Sequence, residues 1–444
     1  MRILIYSLGL PPFRRGGLVN YSVDLAEELA KEGNEVTFLY PGKMPLKKSG
    51  YLSFKKKKVN YSFQCYEMVN PLPVSLTFGN SIDVLPFFEE RDKSKIRSFI
   101  KKISPDVVHV HTIMGLPKEY LEVLKEENIK TVFTTHDYYG LCPKMLASEP
   151  LESLKSSECS YDCMLCSVGP SLSKIRLMQS HLYQTFKDSR IVKYFREKQR
   201  KKVTEGPNVY HFDEQQAKQR YQLREYYLQM FKLIDYYHFN SSVSESIYKK
   251  YLPRIKGKVI PIAEKGLRRR KRKKEVRNSV TIGFLGGVSE KKGFKQVKQV
   301  TNELSNEGLQ FNLLCAGSES NDHFFEKSNV TNLGIISRAE ISNFYREIDL
   351  LVVPSQWHET FGLVVLEALA NNVPVLCSDL VGAKDILPSN LIFHNQNELV
   401  MKLTDFILIS NYRNQVRMEI QDVNINFNFS DHVKRVADAF YKVP

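Results

Sequence analysis

The chain has 444 residues, a length that predicts two domains rather than one. Hydrophobic residues make up 42% of it, which argues against wholesale disorder, and no window approaches the ~18 consecutive apolar residues of a membrane span. The formal net charge is +15, concentrated in Lys43–Lys58 and Glu264–Arg277; such blocks read as solvated loops or as attraction to an anionic membrane surface, and no recognition motif for nucleic acid accompanies them.

The opening Arg2–Leu8 reads as a strand. Pro11-Pro12-Phe13-Arg14-Arg15-Gly16-Gly17 follows at once without a small-residue cleavage site, so the protein is expected in the cytoplasm, where the basic segments could hold it on the inner membrane face. An amphipathic helix over Val19–Glu32 and a strand over Glu35–Tyr40 come next. A lysine-rich loop leads to strand Val59–Met68, helix Asp92–Ile103, strand Val107–His111, helix Leu116–Asn128 and strand Thr131–Thr135. From Tyr138 to about Leu233 the rhythm breaks. Aromatic and basic helical segments (Lys174–Lys202, Asp213–Leu233) read there as an insertion. Strands return at Tyr236–Asn240 and Val259–Ile262, closing a first domain of 1–263 with its insertion at about 138–235. Residues 264–278 form a basic linker too polar to pack.

A second alternating half fills 279–428: strand Val280–Leu285, helix Phe294–Glu307, strands Phe311–Cys315 and Val330–Leu333, helix Ala339–Glu347, strand Leu350–Val353, helix Phe361–Asn371 and strand Val373–Cys377. Strands alternating with helices predict parallel α/β sheets in both halves, facing each other across a cleft. Residues 429–444 close the chain, with a helix over Ser430–Tyr441.

The most informative stretch runs from Pro354 to Ala368. Ligands of open α/β sheets bind beyond the carboxyl ends of the strands, and a helix starting there turns its free N–H groups toward an anion such as phosphate. Glu359 stands at the mouth of that helix and Glu367 two turns in. Carboxylates accept hydrogen bonds from sugar hydroxyls, so the set suits a nucleotide-sugar: diphosphate at Phe361, Gly362 and Leu363, one glutamate on the transferred sugar, the other on ribose. Pro-Ser-x-Trp-x-Glu-x-Phe-Gly-Leu-x-x-x-Glu-Ala resembles the signature of the group-one, family-four retaining glycosyltransferases, which have the GT-B fold.

That resemblance extends to other segments. Pro-Pro-x-x-x-Gly-Gly at the end of the first strand is similar to the family's opening, where the glycine loop, here Gly16 and Gly17, borders donor phosphate and sugar. Gly286-Gly287-Val288-Ser289-Glu290-Lys291-Lys292-Gly293 resembles the family's diphosphate loop. Lys292 falls on its lysine, but Gly287 stands where the family has arginine, one cation fewer toward the leaving group. His136 matches a family histidine near the transferred sugar. Of the neighbouring His109 and His111, His111 is the one expected toward the cleft. A branch of the family carries a His-Asp-aromatic…Cys-Pro arrangement with clustered cysteines. Cys142, Cys159, Cys163 and Cys166 could then form a structural zinc site, or be free thiols. Cys65, Cys315 and Cys377 read as small core residues.

The resemblance implies a retaining transferase that moves a sugar from a nucleotide diphosphate donor to a saccharide or lipid-linked saccharide, in surface-polysaccharide assembly. Glu359, Lys292 and His136 would carry the chemistry without a catalytic metal. The C-terminal helix would cross back onto the first domain. The missing arginine leaves open a catalytically silent relative acting as partner subunit of another transferase; a nucleotide-sugar epimerase or a sugar phosphorylase on the same fold is a further alternative. Donor sugar, base, acceptor, linkage and oligomeric state are not encoded in any of these motifs.

Overall fold

The computed structural model describes residues 1–44, 51–74, 84–141, 172–180, 183, 189, 214–270, 279–423, 425 and 427–442. Cys142, Cys159, Cys163 and Cys166 lie outside them. The first domain runs β1 (Arg2–Tyr6), α1 (Gly17–Lys31), β2 (Glu35–Pro41), β3 (Ser53–Lys57), β4 (Gln64–Val69), α2 (Lys93–Ile103), β5 (Val107–Val110), α3 (Lys118–Glu126) and β6 (Lys130–Thr134). Two helices of the insertion follow, α4 (Leu172–Met178) and α5 (Glu214–Lys232), then β7 (Tyr236–Phe239), α6 (Ser242–Tyr251) and β8 (Gly257–Val259). The strands form one sheet in the order β3-β4-β2-β1-β5-β6-β7-β8. All its pairs are parallel except the edge pair β3–β4.

The second domain runs β9 (Val280–Leu285), α7 (Phe294–Asn306), β10 (Phe311–Ala316), β11 (Val330–Asn332), α8 (Arg338–Glu347), β12 (Leu350–Val353), α9 (Leu363–Ala370), β13 (Val375–Ser378), β14 (Ile392–Phe393), α10 (Gln396–Leu408) and α11 (Ser410–Asp422). Its strands order β11-β10-β9-β12-β13-β14, every pair parallel. The last helix is α12 (Phe429–Val436), continued by a wider turn at Ala437–Tyr441. Two doubly wound parallel sheets of this kind make the GT-B fold. Among the described residues no helix is long and apolar enough to cross a membrane.

Part of the lysine-rich stretch read as loop is structured. Lys55, Lys56 and Lys57 belong to β3, antiparallel to Glu67, Tyr66 and Cys65 of β4. Charge on an edge strand blocks pairing with another chain, which explains how such a sequence joins a sheet. The helix expected from Phe361 starts only at Leu363, because Gly362 takes φ 99° and cannot be part of a right-handed turn. Cys65, Cys315 and Cys377 are buried, and burial pushes the Cys65 and Cys315 thiols up to about 12.

The C-terminal segment returns to the first domain. Phe429, Val433, Val436, Phe440 and Tyr441 are buried in an apolar cluster that includes residues of β1, α1 and the second domain. Each such side chain contributes roughly 1.5–3 kcal/mol through burial. Polar bonds set its register. The His238 Nε2–H donates to the Ile260 carbonyl at 2.8 Å, so its Nδ1 accepts from the Thr134 hydroxyl at 3.0 Å. Thr134 Oγ1 then accepts from His109 Nε2 at 2.7 Å, which leaves His109 Nδ1 to accept from the Tyr441 hydroxyl at 2.7 Å. His432 similarly bonds the Pro261 carbonyl and takes the Tyr21 hydroxyl on Nε2 at 2.7 Å.

Each histidine in this arrangement must be neutral. Burial lowers the pKa of His432 to about 3 and of His238 to about 4, and holds His109 well below its ordinary value. Below pH ~6.5 the unfolded chain takes up protons that these folded rings refuse. The stabilisation is therefore complete above that pH and is lost as pH falls toward the native values. The urea midpoint is expected to drop between pH 6.5 and 4.5, and His432→Gln to flatten that dependence. An unchanged slope in the variant would show that His432 does not contribute to it.

Candidate active site

Three helices begin on glycine without a capping side chain: α1 on Gly16, α7 on Gly293 and α9 on Gly362, the last of which lines the cleft between the domains. Side chains cap α2, α6, α8, α10 and α12 (Asp92, Ser241, Ser337, Asn395 and Asn428), while α3 and α11 start on Pro117 and Ile409 without one. A side-chain cap satisfies the first N–H groups from within the protein; its absence leaves them for a ligand.

The loops after β9 and β12 are locked together. Gly293 has φ 79°, and a Cβ on it would stand 1.8 Å from the Pro354 carbonyl oxygen, so no other residue fits. The Lys291 carbonyl accepts from Gln356 N–H at 2.8 Å and from the Ser355 hydroxyl at 3.0 Å. This packing carries Lys292 to Glu359, Nζ to Oε1 2.9 Å, in an ion pair lacking hydrogen-bond alignment. The Glu359 side chain is 12% exposed and that of Lys292 45%. A half-exposed pair of this kind adds little stability. Backbone bonds from Glu359 N–H to Leu380 and from Gly382 N–H to Glu359, both 3.0 Å, fix the carboxylate's base.

The first domain meets this site directly. The Thr360 hydroxyl donates to the His136 carbonyl at 2.9 Å, and the Thr360 carbonyl accepts from Ser241 Oγ at 2.6 Å. Ser242 bonds Asp385 through both its N–H and its hydroxyl. At Gly17 a Cβ would lie 3.4 Å from Leu363, the first residue of α9. An open cleft of about 260 Å³ lies between the domains, lined by His136, Asp137, Tyr138, Trp357, Glu359 and Gly362 among others. His136 Nε2 is 2.9 Å from His111 Nδ1, and burial lowers the His136 pKa to about 3, so the ring is neutral. Burial raises Asp137 to about 6.

Of the residues singled out in the sequence, Lys292, Glu359, His136, Phe361 and Gly362 therefore meet at one cleft, with Gly17 above the start of α9. Gly286 packs under Lys292, where a Cβ would stand 2.9 Å from the lysine Cβ. Glu367 does not line this cavity; its Oε2 accepts from the Tyr345 hydroxyl at 3.0 Å, on the α8 side of α9. His111 is buried behind His136 rather than facing the cleft. Thr360 and Asp137 stand inside sequence motifs that give neither of them a role, and the sequence does not single out Ser241. The Ser241/Ser244 capping box marks a helix start, but nothing local signals a bond to the other domain. Trp357, the chain's one tryptophan, stacks with the Lys291 ammonium 4.6 Å from its ring.

Gly287 has φ 64°, and a Cβ there would meet Ser318 Oγ at 3.0 Å and the Gly317 carbonyl carbon at 3.2 Å. An arginine in this position would take a left-handed backbone conformation and press against Ser318 and Gly317. Gly287→Arg is expected to lower the melting temperature, by the roughly 1–2 kcal/mol of a left-handed non-glycine residue plus the steric cost. A variant as stable as wild type would show that the loop readily takes the other conformation.

Residues 268–421 match the family described as Glycosyl transferases group 1, and residues 15–156 match Glycosyltransferase Family 4. An uncharacterized 42.6 kDa protein in the cps region of Klebsiella pneumoniae is 20% identical over 87% of each chain. The capsular polysaccharide biosynthesis glycosyltransferase CapM of Staphylococcus aureus is 28% identical over 25% of this chain and 31% of its own. Other curated relatives match over 21–44% of their own length, so the chain spans less than half of them. In three dimensions the Anabaena protein HepE, solved in complex with UDP, aligns over 100% of both chains with a TM-score of 0.58 at 12% identity, a likeness of fold. A glycosyltransferase family model matches in each domain, which supports a group 1 glycosyltransferase, and the chain has the GT-B fold.

Proposed function

We propose that the protein transfers a sugar, with retention of configuration, from a nucleotide diphosphate sugar to a saccharide or lipid-linked saccharide in cell-surface polysaccharide assembly. The observation that carries this reading is the Lys292–Glu359 pair at the uncapped start of α9, with His136 on the facing wall. The diphosphate would lie on the Phe361–Leu363 backbone amides with Lys292 as its point charge. Its arrival would release Glu359 to accept hydrogen bonds from the transferred sugar's hydroxyls. A neutral His136 can donate to the sugar or a phosphate oxygen. Glu367, steadied by Tyr345, is assigned to ribose.

As the glycosidic bond to the diphosphate breaks, negative charge grows on its oxygens, where Lys292 and the amides stabilise it. One of those oxygens can take the proton of the acceptor hydroxyl as it attacks from the same face. The positive charge this scheme needs comes from the protein, so it invokes no metal ion. The names of the CapM and cps-region relatives support polysaccharide assembly, and the UDP of the HepE complex supports a nucleotide donor.

Lys292→Ala and Glu359→Gln are each expected to cut transfer, and donor hydrolysis where transfer is unmeasured, by roughly a hundredfold or more, with melting temperatures close to wild type. Glu367→Ala should chiefly raise the KM for the donor. Wild-type rates in all three would sink this assignment. Wild-type protein that neither binds nor hydrolyses any of a panel of nucleotide-sugars would instead indicate a silent relative.

The reading extends to the membrane. Lys55 and Lys56 project exposed from edge strand β3, and the linker carries a further basic run. Anionic vesicles should bind the protein at low salt and release it as salt rises, and neutral vesicles should not bind. Reversing Lys55 and Lys56 to glutamate should weaken this binding and leave donor hydrolysis unchanged. Failure to bind anionic vesicles at low salt would favour a water-soluble acceptor.

A further inference from the structure

A second cavity, of about 200 Å³, opens in the first domain where the chain leaves β1 and β2. It thus lies at the carboxyl ends of parallel strands, the place where such sheets bind ligands. Its walls come from four parts of the chain: the loop Leu8–Arg14 after β1, the end of β2 through Lys43, Lys57 and Glu67 of the edge hairpin, and Gln179 from the end of α4. Nothing in the donor chemistry described above uses it.

Its polar groups are unbalanced. The one carboxylate among its described lining residues, Glu67, is engaged: it accepts the Lys43 backbone N–H at 3.1 Å and pairs with Lys57 Nζ at 3.3 Å. Arg14 has no carboxylate partner among the described residues. Its guanidinium rests 5.2 Å from the Phe13 ring, and burial lowers its pKa to about 10. Gln179 is only 3% exposed. Its Oε1 accepts the Val74 N–H at 2.9 Å, while its Nε2 amide group meets no acceptor. A buried amide donor left unpaired costs free energy that an incoming acceptor recovers. Gly9 lets the Arg14 stem lie against the loop, since a Cβ there would stand 2.6 Å from Arg14 Cγ.

Arginine, two lysines and an amide N–H₂ thus line a space whose one carboxylate among the described residues is already paired. We propose that this cavity holds an oxyanion, a phosphate monoester or a sugar carboxylate, carried by the acceptor. The guanidinium fork suits either group, binding two oxygens at once. The loop Leu8–Arg14 continues directly into Gly16 and Gly17, above the start of α9. An acceptor anchored at Arg14 therefore has the donor cleft at the other end of the same loop. The inference rests on the transferase reading for the word acceptor, while the anion site itself stands on the cavity's own residues.

The test is calorimetric titration with inorganic phosphate, D-glucuronate and, as neutral control, D-glucose, on protein saturated with UDP so that the donor site is occupied. One of the anions is expected to bind and glucose not to; whichever binds more tightly distinguishes phosphate from carboxylate. Arg14→Met and Gln179→Met should each weaken anion binding tenfold or more. Lys95→Met, the same charge change at an exposed position on α2, should not. Arg14→Lys keeps the charge without the fork and stands in if Arg14→Met does not fold. Absence of anion binding, equal loss in Lys95→Met, or full binding in both Arg14 and Gln179 variants overturns the proposal. Donor hydrolysis keeps the two readings separable. A protein that hydrolyses donor without binding an anion here overturns only this inference, and one that binds the anion but never turns over donor overturns only the transferase reading.

Discussion

The arrangement of the two domains depends on a directed line of hydrogen bonds through neutral rings, from Tyr441 through His109, Thr134 and His238 to the Ile260 carbonyl. Each group in it has one donor and one acceptor to place, and the carbonyl at the end determines the direction for all of them. A charged histidine would put two donors face to face. The last residues of the chain are thereby keyed to the centre of the first sheet, while their apolar side joins a cluster shared with the second domain. Polar bonds in a low-dielectric interior are costly to leave unmade, so this contact specifies one docking geometry where apolar packing alone would tolerate several.

That docking is what creates a cleft with two walls. Thr360 sits at the seam, its hydroxyl on the His136 carbonyl and its carbonyl on Ser241 Oγ. From there the second domain contributes Lys292 and Glu359, and the first contributes His136 and the glycine turn over Leu363. The ion pair between Lys292 and Glu359 has a clear chemical meaning in this setting. With no ligand each neutralises the other, and a diphosphate would compete for the lysine and free the carboxylate for sugar hydroxyls.

The chain's excess positive charge divides by role in this picture. Lys55 and Lys56 on β3 protect a sheet edge and face solvent, whereas Arg14, Lys43 and the last β3 lysine, Lys57, line a cavity with a single carboxylate among its described lining residues. The first kind costs little because water screens it. The second kind is retained at the expense of desolvation, which is why burial draws down the Arg14 pKa while exposed lysines need no compensation.

Most of the fold was legible in the sequence, because the signals are local. Apolar runs such as Leu350–Val353 are buried on both faces of a parallel sheet, and amphipathic stretches such as Gly17–Lys31 bury one stripe. The strand–helix alternation then leaves few topologies, so two facing α/β domains follow from pattern alone. Glycines 16, 287 and 362 likewise signal turns, since each takes a positive φ that other residues avoid. What the sequence could not carry was long-range. The edge strand at Ser53–Lys57 has a polar, lysine-rich composition and exists because β4 offers it a partner. Glu367 and Glu359 look equivalent in the motif, yet Tyr345, 22 positions earlier, turns one away from the cavity that the other lines. The bond from Thr360 to His136 spans 224 positions, and the one from Tyr441 to His109 spans 332. Which polar groups meet across such separations depends on how two independently formed sheets dock, and no local propensity records that.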